Sequence, residues 1–131
     1  MSGSLAYLDS SAYVKLVLPE PESGALVHWL RRWPEQVSAS LLRVEVSHAV
    51  RLHGPEAVAR ARRLWTRMTF VGLTEPLLDT AASIPLQVRS LDAIHLAAAL
   101  SLGDDLAGLV TYDQRLGSAA RAYGIVVHSP D

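Results

Sequence analysis

The sequence predicts one α/β domain with a mainly parallel central sheet and helices covering both faces. Three observations carry that prediction. Short apolar runs alternate with longer amphipathic segments, the runs are continuous rather than alternating, and turn or cap residues bound them. Strands that are apolar on both sides are those of a parallel sheet buried between helical layers, and the intervening helices supply the crossovers. Half of the 131 residues are hydrophobic and 19% are charged, so the chain folds as a globular protein. Its length fits a single domain, residues 1–131, with a proper core.

Leu5 to Leu8 reads as a short buried strand, after which Ser10 or Ser11 caps a helix to about Leu18, stopped by Pro19 and Pro21. A second helix runs from Ser23 to about Arg32, ended by Pro34, and Val37 to Ala39 is a short strand. Ser40 is placed to cap a helix through about His53, which Gly54-Pro55 breaks; Glu56 to about Met68 forms the other arm of a helical hairpin. Thr69 to Leu73 is strand-like. Thr74 caps the next helix, which stops near Ile84-Pro85. An Ala-rich helix capped by Ser90 reaches Leu102, with Gly103 at its end. Leu109 to Thr111 is a buried strand, Asp113 opens the last helix, Gly124 closes it, and Ile125 to Val127 is a final strand.

Composition excludes several classes. Without cysteine there is neither a disulfide framework nor a thiolate metal site. No apolar run approaches the roughly 20 residues of a membrane span, and the start lacks a basic and apolar signal region, so a cytoplasmic address is expected. The net charge of −1 gives no global nucleic-acid signal; an anionic substrate would need local positive patches.

Four carboxylates interrupt apolar or small-residue segments: Asp9, Glu45, Asp92 and Asp113. Such groups are costly on an apolar face unless something pairs with them. None has a matching Lys or Arg set beside it, which points to a hard cation such as Mg²⁺ or Mn²⁺. Asp9 and Asp113 stand at carboxyl ends of strands, one residue past the last buried position, where open α/β sheets place their sites. Asp92 falls in the first turn of its helix. Glu45 lies on the helix face carrying Leu41, Leu42 and Ala49. Each acid has a plainer role as cap, dipole complement or turn residue, but four such coincidences are required together.

The blocks Tyr7-Leu8-Asp9-Ser10-Ser11-Ala12-Tyr13-Val14-Lys15, Ser40 to Glu45, Leu91-Asp92-Ala93-Ile94-His95-Leu96-Ala97 and Thr111-Tyr112-Asp113-Gln114-Arg115-Leu116 resemble the ordered signature blocks of PIN domains. The nearest likeness is to VapC-type ribonuclease toxins of bacterial toxin–antitoxin pairs, over about Leu5 to His128. The resemblance implies a three-layer α/β/α domain, Mg²⁺ or Mn²⁺ dependence, endonucleolytic cleavage of RNA, a homodimer and a small inhibitory antitoxin. A carboxylate-held cation would activate a water and offset charge on the phosphate. Asp9 and Asp113, at rigid strand ends, would be its direct ligands, with Asp92 completing that shell or holding a second ion and Glu45 binding through water or orienting the nucleophile. Ser11 and Thr111 fall where a hydroxyl supports the acid cluster, with helix capping or strand-end bonding as the plain alternative.

Arg60, Arg63 and Arg67 share one helix face by spacing, either solvated or in contact with RNA or antitoxin. Arg89, three residues before Asp92, would contact phosphate or neutralise the acids. The Ser40–Met68 hairpin would offer a groove to the antitoxin, with Trp65 or Leu64 as anchor.

Glu45-x-x-His48 and Asp92-x-x-His95 also fit the helical half of a di-iron carboxylate site. The strand-like segments argue against that, leaving His95 as a buried or hydrogen-bonded packing residue. A phosphoryl-accepting domain would need a second acid beside Asp9, where Ser10 and Ser11 stand. A ribonuclease of RNA maturation or decay without a toxin role, and a non-catalytic RNA-binding module of this fold, remain as alternatives.

Overall fold

The computed structural model describes residues 3–33 and 35–131. Pro34, expected to end the second helix, lies outside the described residues. Five strands form one sheet in the order β3-β2-β1-β4-β5, and every pairing is parallel. They are β1 Leu5–Leu8, β2 Glu35–Ala39, β3 Thr69–Val71, β4 Leu106–Val110 and β5 Val127–His128. The helices are α1 Ser10–Val17, α2 Ser23–Leu30, α3 Leu42–Val50, α4 Pro55–Trp65, α5 Glu75–Ala82, α6 Ser90–Ser101 and α7 Gln114–Ala122.

Alternation along β1 sorts the core into layers. Ala6 and Leu8 face one side, where they meet Ala12 of α1, Leu26 and Leu30 of α2, and Val110. Tyr7 faces the other side, against Leu96 and Ala97 of α6 and a cluster that includes Leu77 and Ala81 of α5 and Leu116 and Ala120 of α7. Small residues let α6 lie close to the sheet: Ala93, Ala97, Ala98 and Ala99 are all buried. A further cluster joins Tyr13 and Val17 of α1 to Leu42, Val46 and Val50 of α3 and Ala61 of α4. Burying each large aliphatic side chain contributes about 1.5–3 kcal/mol, so these clusters hold the layers together.

The strand order has a mechanical consequence. From β1 the chain moves outward through β2 and β3, then returns to pair β4 on the other side of β1. The helix after β1 packs on one face and the helix after β4 on the opposite face. A crevice therefore opens between the carboxyl ends of β1 and β4, the switch point at which such sheets place their ligands.

Several boundaries differ from the sequence expectation. Asp9, rather than Ser10 or Ser11, is the N-cap of α1, its side chain accepting from the Ala12 amide. Leu41 and Arg89, not Ser40 and Ser90, occupy the N-cap positions of α3 and α6, neither with a side-chain cap bond. The helix after β2 ends at Val50 and tightens into a 3₁₀ turn over Arg51–His53. Gly54, at φ +96°, then turns the chain into α4 in a conformation L side chains rarely adopt. β4 begins at Leu106 because Gly108 lets β5 approach: a Cβ there would come within 2.9 Å of the His128 ring. β5 is shifted to Val127–His128, since Ile125 is still closing α7 through its amide to the Ala120 carbonyl.

Candidate active site

Asp9 leaves β1 at the switch point and is almost fully buried, 3% exposed. Its carboxylate is held on both oxygens. Oδ1 accepts the Ser11 hydroxyl at 2.7 Å and the Ala12 amide at 2.9 Å, and Oδ2 accepts the Thr111 hydroxyl at 2.5 Å. Burial pushes this carboxyl above the usual carboxylate range, while the Thr111, Ser11 and Ala12 donors oppose the shift.

Those two hydroxyls also reach the neighbouring junction. Ser11 Oγ accepts the Tyr112 amide at 2.9 Å, and Thr111 Oγ1 accepts the Asp113 amide at 3.0 Å. Each hydroxyl donates to Asp9 and accepts from the β4–α7 turn, so both plain and supporting roles coexist. The turn and the acid are fixed by the same bonds.

Asp113 stands two residues beyond buried Thr111, one farther than the sequence suggests, because Tyr112 intervenes. It is the N-cap of α7: Oδ1 accepts the Arg115 and Leu116 amides at 2.8 and 3.1 Å. Asp92 is half-buried in the first turn of α6. Burial and the charges of Asp113 and Asp9 push its carboxyl up, against the opposing pull of His95 and Arg89. Glu45 is half-buried on α3, beside the inward face of Leu42, Val46 and Val50; Ala49, expected on its face, is exposed. Its Oε1 lies 2.7 Å from Nε2 of His95, so His95 is both buried and hydrogen-bonded. The Tyr7 hydroxyl beneath them feels both Asp9 and Glu45.

The charges of Asp9, Asp92 and Asp113 thus act on one another, and Glu45 joins them through His95 and the Tyr7 hydroxyl. Among the described residues, however, no three Asp, Glu or His side chains close together as a ready-made metal cage. The ion pairs among those residues are Lys15 with Glu20 and Glu22, and His95 with Glu45. None of the three aspartates has a Lys or Arg partner there. An all-oxygen carboxylate set without basic partners has the donor chemistry of a hard-cation site.

The arginines divide. Arg60 lines a groove with Leu16 to Pro19, His28 and Arg31, at the end of α1 away from Asp9. Arg63 is exposed on α4, and Arg67 lies past Trp65, the last residue of that helix, so the three do not form one helical stripe. Arg89 instead lines a groove of about 740 Å³ between α6 and α7, with Asp92, Gln114, Arg115 and Tyr123. A second groove of about 340 Å³ runs beside Thr111, Asp113 and Arg121. Arg115 and Arg121, which line these grooves, were not singled out from the sequence. Arg115 did carry a signal: a cation in the first turn of a helix opposes the dipole, and the neighbouring carboxylates offset that cost.

The PIN domain family model matches residues 6–122. Ribonuclease VapC46 of Mycobacterium tuberculosis is 44% identical over 125 residues, covering 95% of this chain and 96% of that protein. Ribonuclease VapC47 of the same species is 42% identical over 132 residues, covering 96% and 97%. Among solved structures, M. tuberculosis VapC20, described as a Sarcin-Ricin loop cleaving toxin, superposes with TM-score 0.74 at 20% identity, covering 95% of this chain and 99% of that one. VapBC2 from Rickettsia felis, bound to a promoter DNA fragment, matches with TM-score 0.75 at 12% identity, covering 97% and 99%. At those identities the structural likenesses bear on the fold alone. The family model and the relatives above 40% identity go further: this chain belongs to the PIN-domain family.

Proposed function

We propose that this protein is a Mg²⁺- or Mn²⁺-dependent endoribonuclease and the toxin of a toxin–antitoxin pair. The observation that carries the reading is the set of three aspartates at one switch point without a basic partner, in a chain whose relatives at 40–44% identity are named ribonucleases.

The residues divide the work by how tightly each is held. Asp9 is fixed by three donors, so its carboxylate presents one geometry to whatever occupies the crevice. Asp113 spends Oδ1 on capping α7, and its described hydrogen bonds leave Oδ2 free for a cation. Asp92 and Asp113 repel each other, and that repulsion favours taking up positive charge. Asp9, Asp92 and Asp113 would hold the cation, with Glu45 reaching it through water; such an ion acidifies a bound water and offsets charge growing on the phosphate. Glu45 keeps Oε2 to orient the attacking water, since Oε1 is engaged by His95. Arg89 and Arg115, on the groove beside Asp92, are placed to hold RNA phosphates by charge.

A basic side chain from an antitoxin would inhibit by entering this acidic rim and displacing the cation. Solved neighbours of this fold include a toxin–antitoxin complex from Klebsiella pneumoniae. The α3–α4 hairpin offers exposed Val44 and Leu52 to an amphipathic partner segment, whereas Leu64 and Trp65, the anchors expected from sequence, already pack partly into the α1–α3–α4 cluster. A homodimer and a cytoplasmic address belong to the same reading; no described helix is long and apolar enough to cross a membrane.

Purified protein should cut a panel of structured RNAs with Mg²⁺ or Mn²⁺ present and leave them intact in EDTA. Equal cleavage in EDTA would overturn the metal-dependent mechanism.

A further inference from the structure

His95 and Tyr7 are buried titratable groups beneath the site that the mechanism above does not use directly; His95 links the other to an acid. It is 1% exposed and bonded on both ring nitrogens. Nε2 lies 2.7 Å from Glu45 Oε1, and Nδ1 lies 2.7 Å from the Tyr7 hydroxyl. Tyr7 is itself fully buried, its ring meeting the imidazole edge-on at 80° with centroids 5.8 Å apart. Each of the three stands close to an acid or is one: Tyr7 lies on β1 two residues before Asp9, His95 follows Asp92 by three on α6, and Glu45 is the acid of α3.

An ionised carboxylate only accepts hydrogen bonds, so Nε2 must carry its proton to bond Glu45. A neutral ring then has a bare Nδ1, which in a buried site needs a donor. The Tyr7 hydroxyl is that donor. For a ring carrying a single proton the chain of bonds has one direction, from Tyr7 to His95 to Glu45. Reversing the ring's proton would set a bare Nε2 against a carboxylate, two acceptors face to face.

We propose that Tyr7 and His95 form a buried tautomer lock that fixes the Glu45 carboxylate, with His95 as a positioning residue for the reaction. The kinetic arm rests on the ribonuclease reading; the spectroscopic arm does not. The lock leaves Glu45 Oε2 turned to the crevice and ties α3 to α6 and β1 at the level of the acids. Partners that orient an active-site ligand in this way are generally worth 10–100-fold when removed.

Glutamine carries its amide nitrogen about where imidazole has Nε2, and asparagine about where it has Nδ1. His95→Gln should therefore keep kcat within a few-fold of wild type. His95→Asn should lose about 10–100-fold in kcat with KM unchanged, assayed well below the melting temperature of each variant. Equal rates for folded Gln and Asn variants would overturn the positioning role, as would a loss in KM alone. Independently, ¹⁵N NMR of the His95 ring at pH 8, without divalent ion, should show the Nε2–H tautomer in wild type and a mixture in Tyr7→Phe. A ring protonated on Nδ1, alone or with Nε2, or an unchanged tautomer in Tyr7→Phe, would overturn the lock. If wild type cuts no RNA, the ribonuclease reading fails while the NMR result still decides the lock.

Discussion

The β1–α1 and β4–α7 junctions use the same local device in opposite surroundings. At each, an aspartate leaves a parallel strand and caps the next helix with Oδ1. Asp9 is buried and bonded on both oxygens, and burial raises its pKa. Asp113 is half-buried, and its described bonds use only one oxygen. Capping explains the position of both but the burial of neither. A surface N-cap would serve α1 equally well, typically for about 1 kcal/mol, without sinking a carboxylate into the core. On the proposed function, Asp9 sits where a charge is wanted, and the Ser11 and Thr111 hydroxyls hold it there.

The largest expected effect comes from cancelling that charge. Asp9→Asn should lower RNA cleavage at least about 100-fold, the scale on which a single group stabilising transition-state charge acts. Its stability should change in a pH-dependent direction. Because the folded pKa of Asp9 is raised, the stability it contributes is full below its ordinary value of 3.8 and is lost as pH rises through the folded value. Asparagine carries no such titration. The melting temperature of Asp9→Asn relative to wild type should therefore climb from acid toward neutral pH in metal-free buffer, and added divalent ion should stabilise wild type more than the variant. A difference in melting temperature that stays flat with pH would mean that the buried carboxylate is not strained. Asp79→Asn and Glu56→Gln, both on exposed helix positions, should leave cleavage unchanged.

Next in size is the link between the two junctions. Thr111→Val keeps the shape but removes one donor to Asp9 and the acceptor for the Asp113 amide. Leaving such groups unpaired costs about 1–3 kcal/mol, readable in urea denaturation. Cleavage should fall too, since both aspartates lose a fixed partner. A stable, fully active Thr111→Val would show that the junctions are independent.

Smallest is the groove. Arg89→Gln and Arg115→Gln should each raise KM for RNA a few-fold at low salt, and less as salt screens the contact. Arg60→Gln, at the far end of α1, should not. Equal effects from all three would indicate a diffuse electrostatic attraction rather than a groove.

The fold was largely legible because its signals are local. Continuous apolar runs marked the strands, and Thr74 and Asp113 cap α5 and α7 as their sequence positions suggested. Strand ends were harder. The strand expected from Leu109 instead runs back to Leu106 through Gly108, which β4 needs because His128 of β5 lies against it, a contact absent from any local window. The acids stood out because each interrupts an apolar segment. What holds them did not: Tyr7–His95 spans 88 residues and His95–Glu45 spans 50. His95 was recognised as buried or bonded, but its partners depend on how α3, α6 and β1 meet. The arginine stripe failed for a related reason. Spacing of three and four presumes one continuous helix, and α4 ends at Trp65, before Arg67.

The central claim is that the strand-end aspartates are present for their charge and not merely for their caps. Asp113→Asn tests it most directly, because asparagine caps a helix as well as aspartate and removes only the charge. The measurement is RNA cleavage with Mg²⁺ alongside the melting temperature of the same preparation. The account predicts cleavage lost with a melting temperature equal to or above that of wild type. Cleavage retained at the wild-type rate would contradict it, and cleavage lost only together with the fold would return Asp113 to a purely structural role.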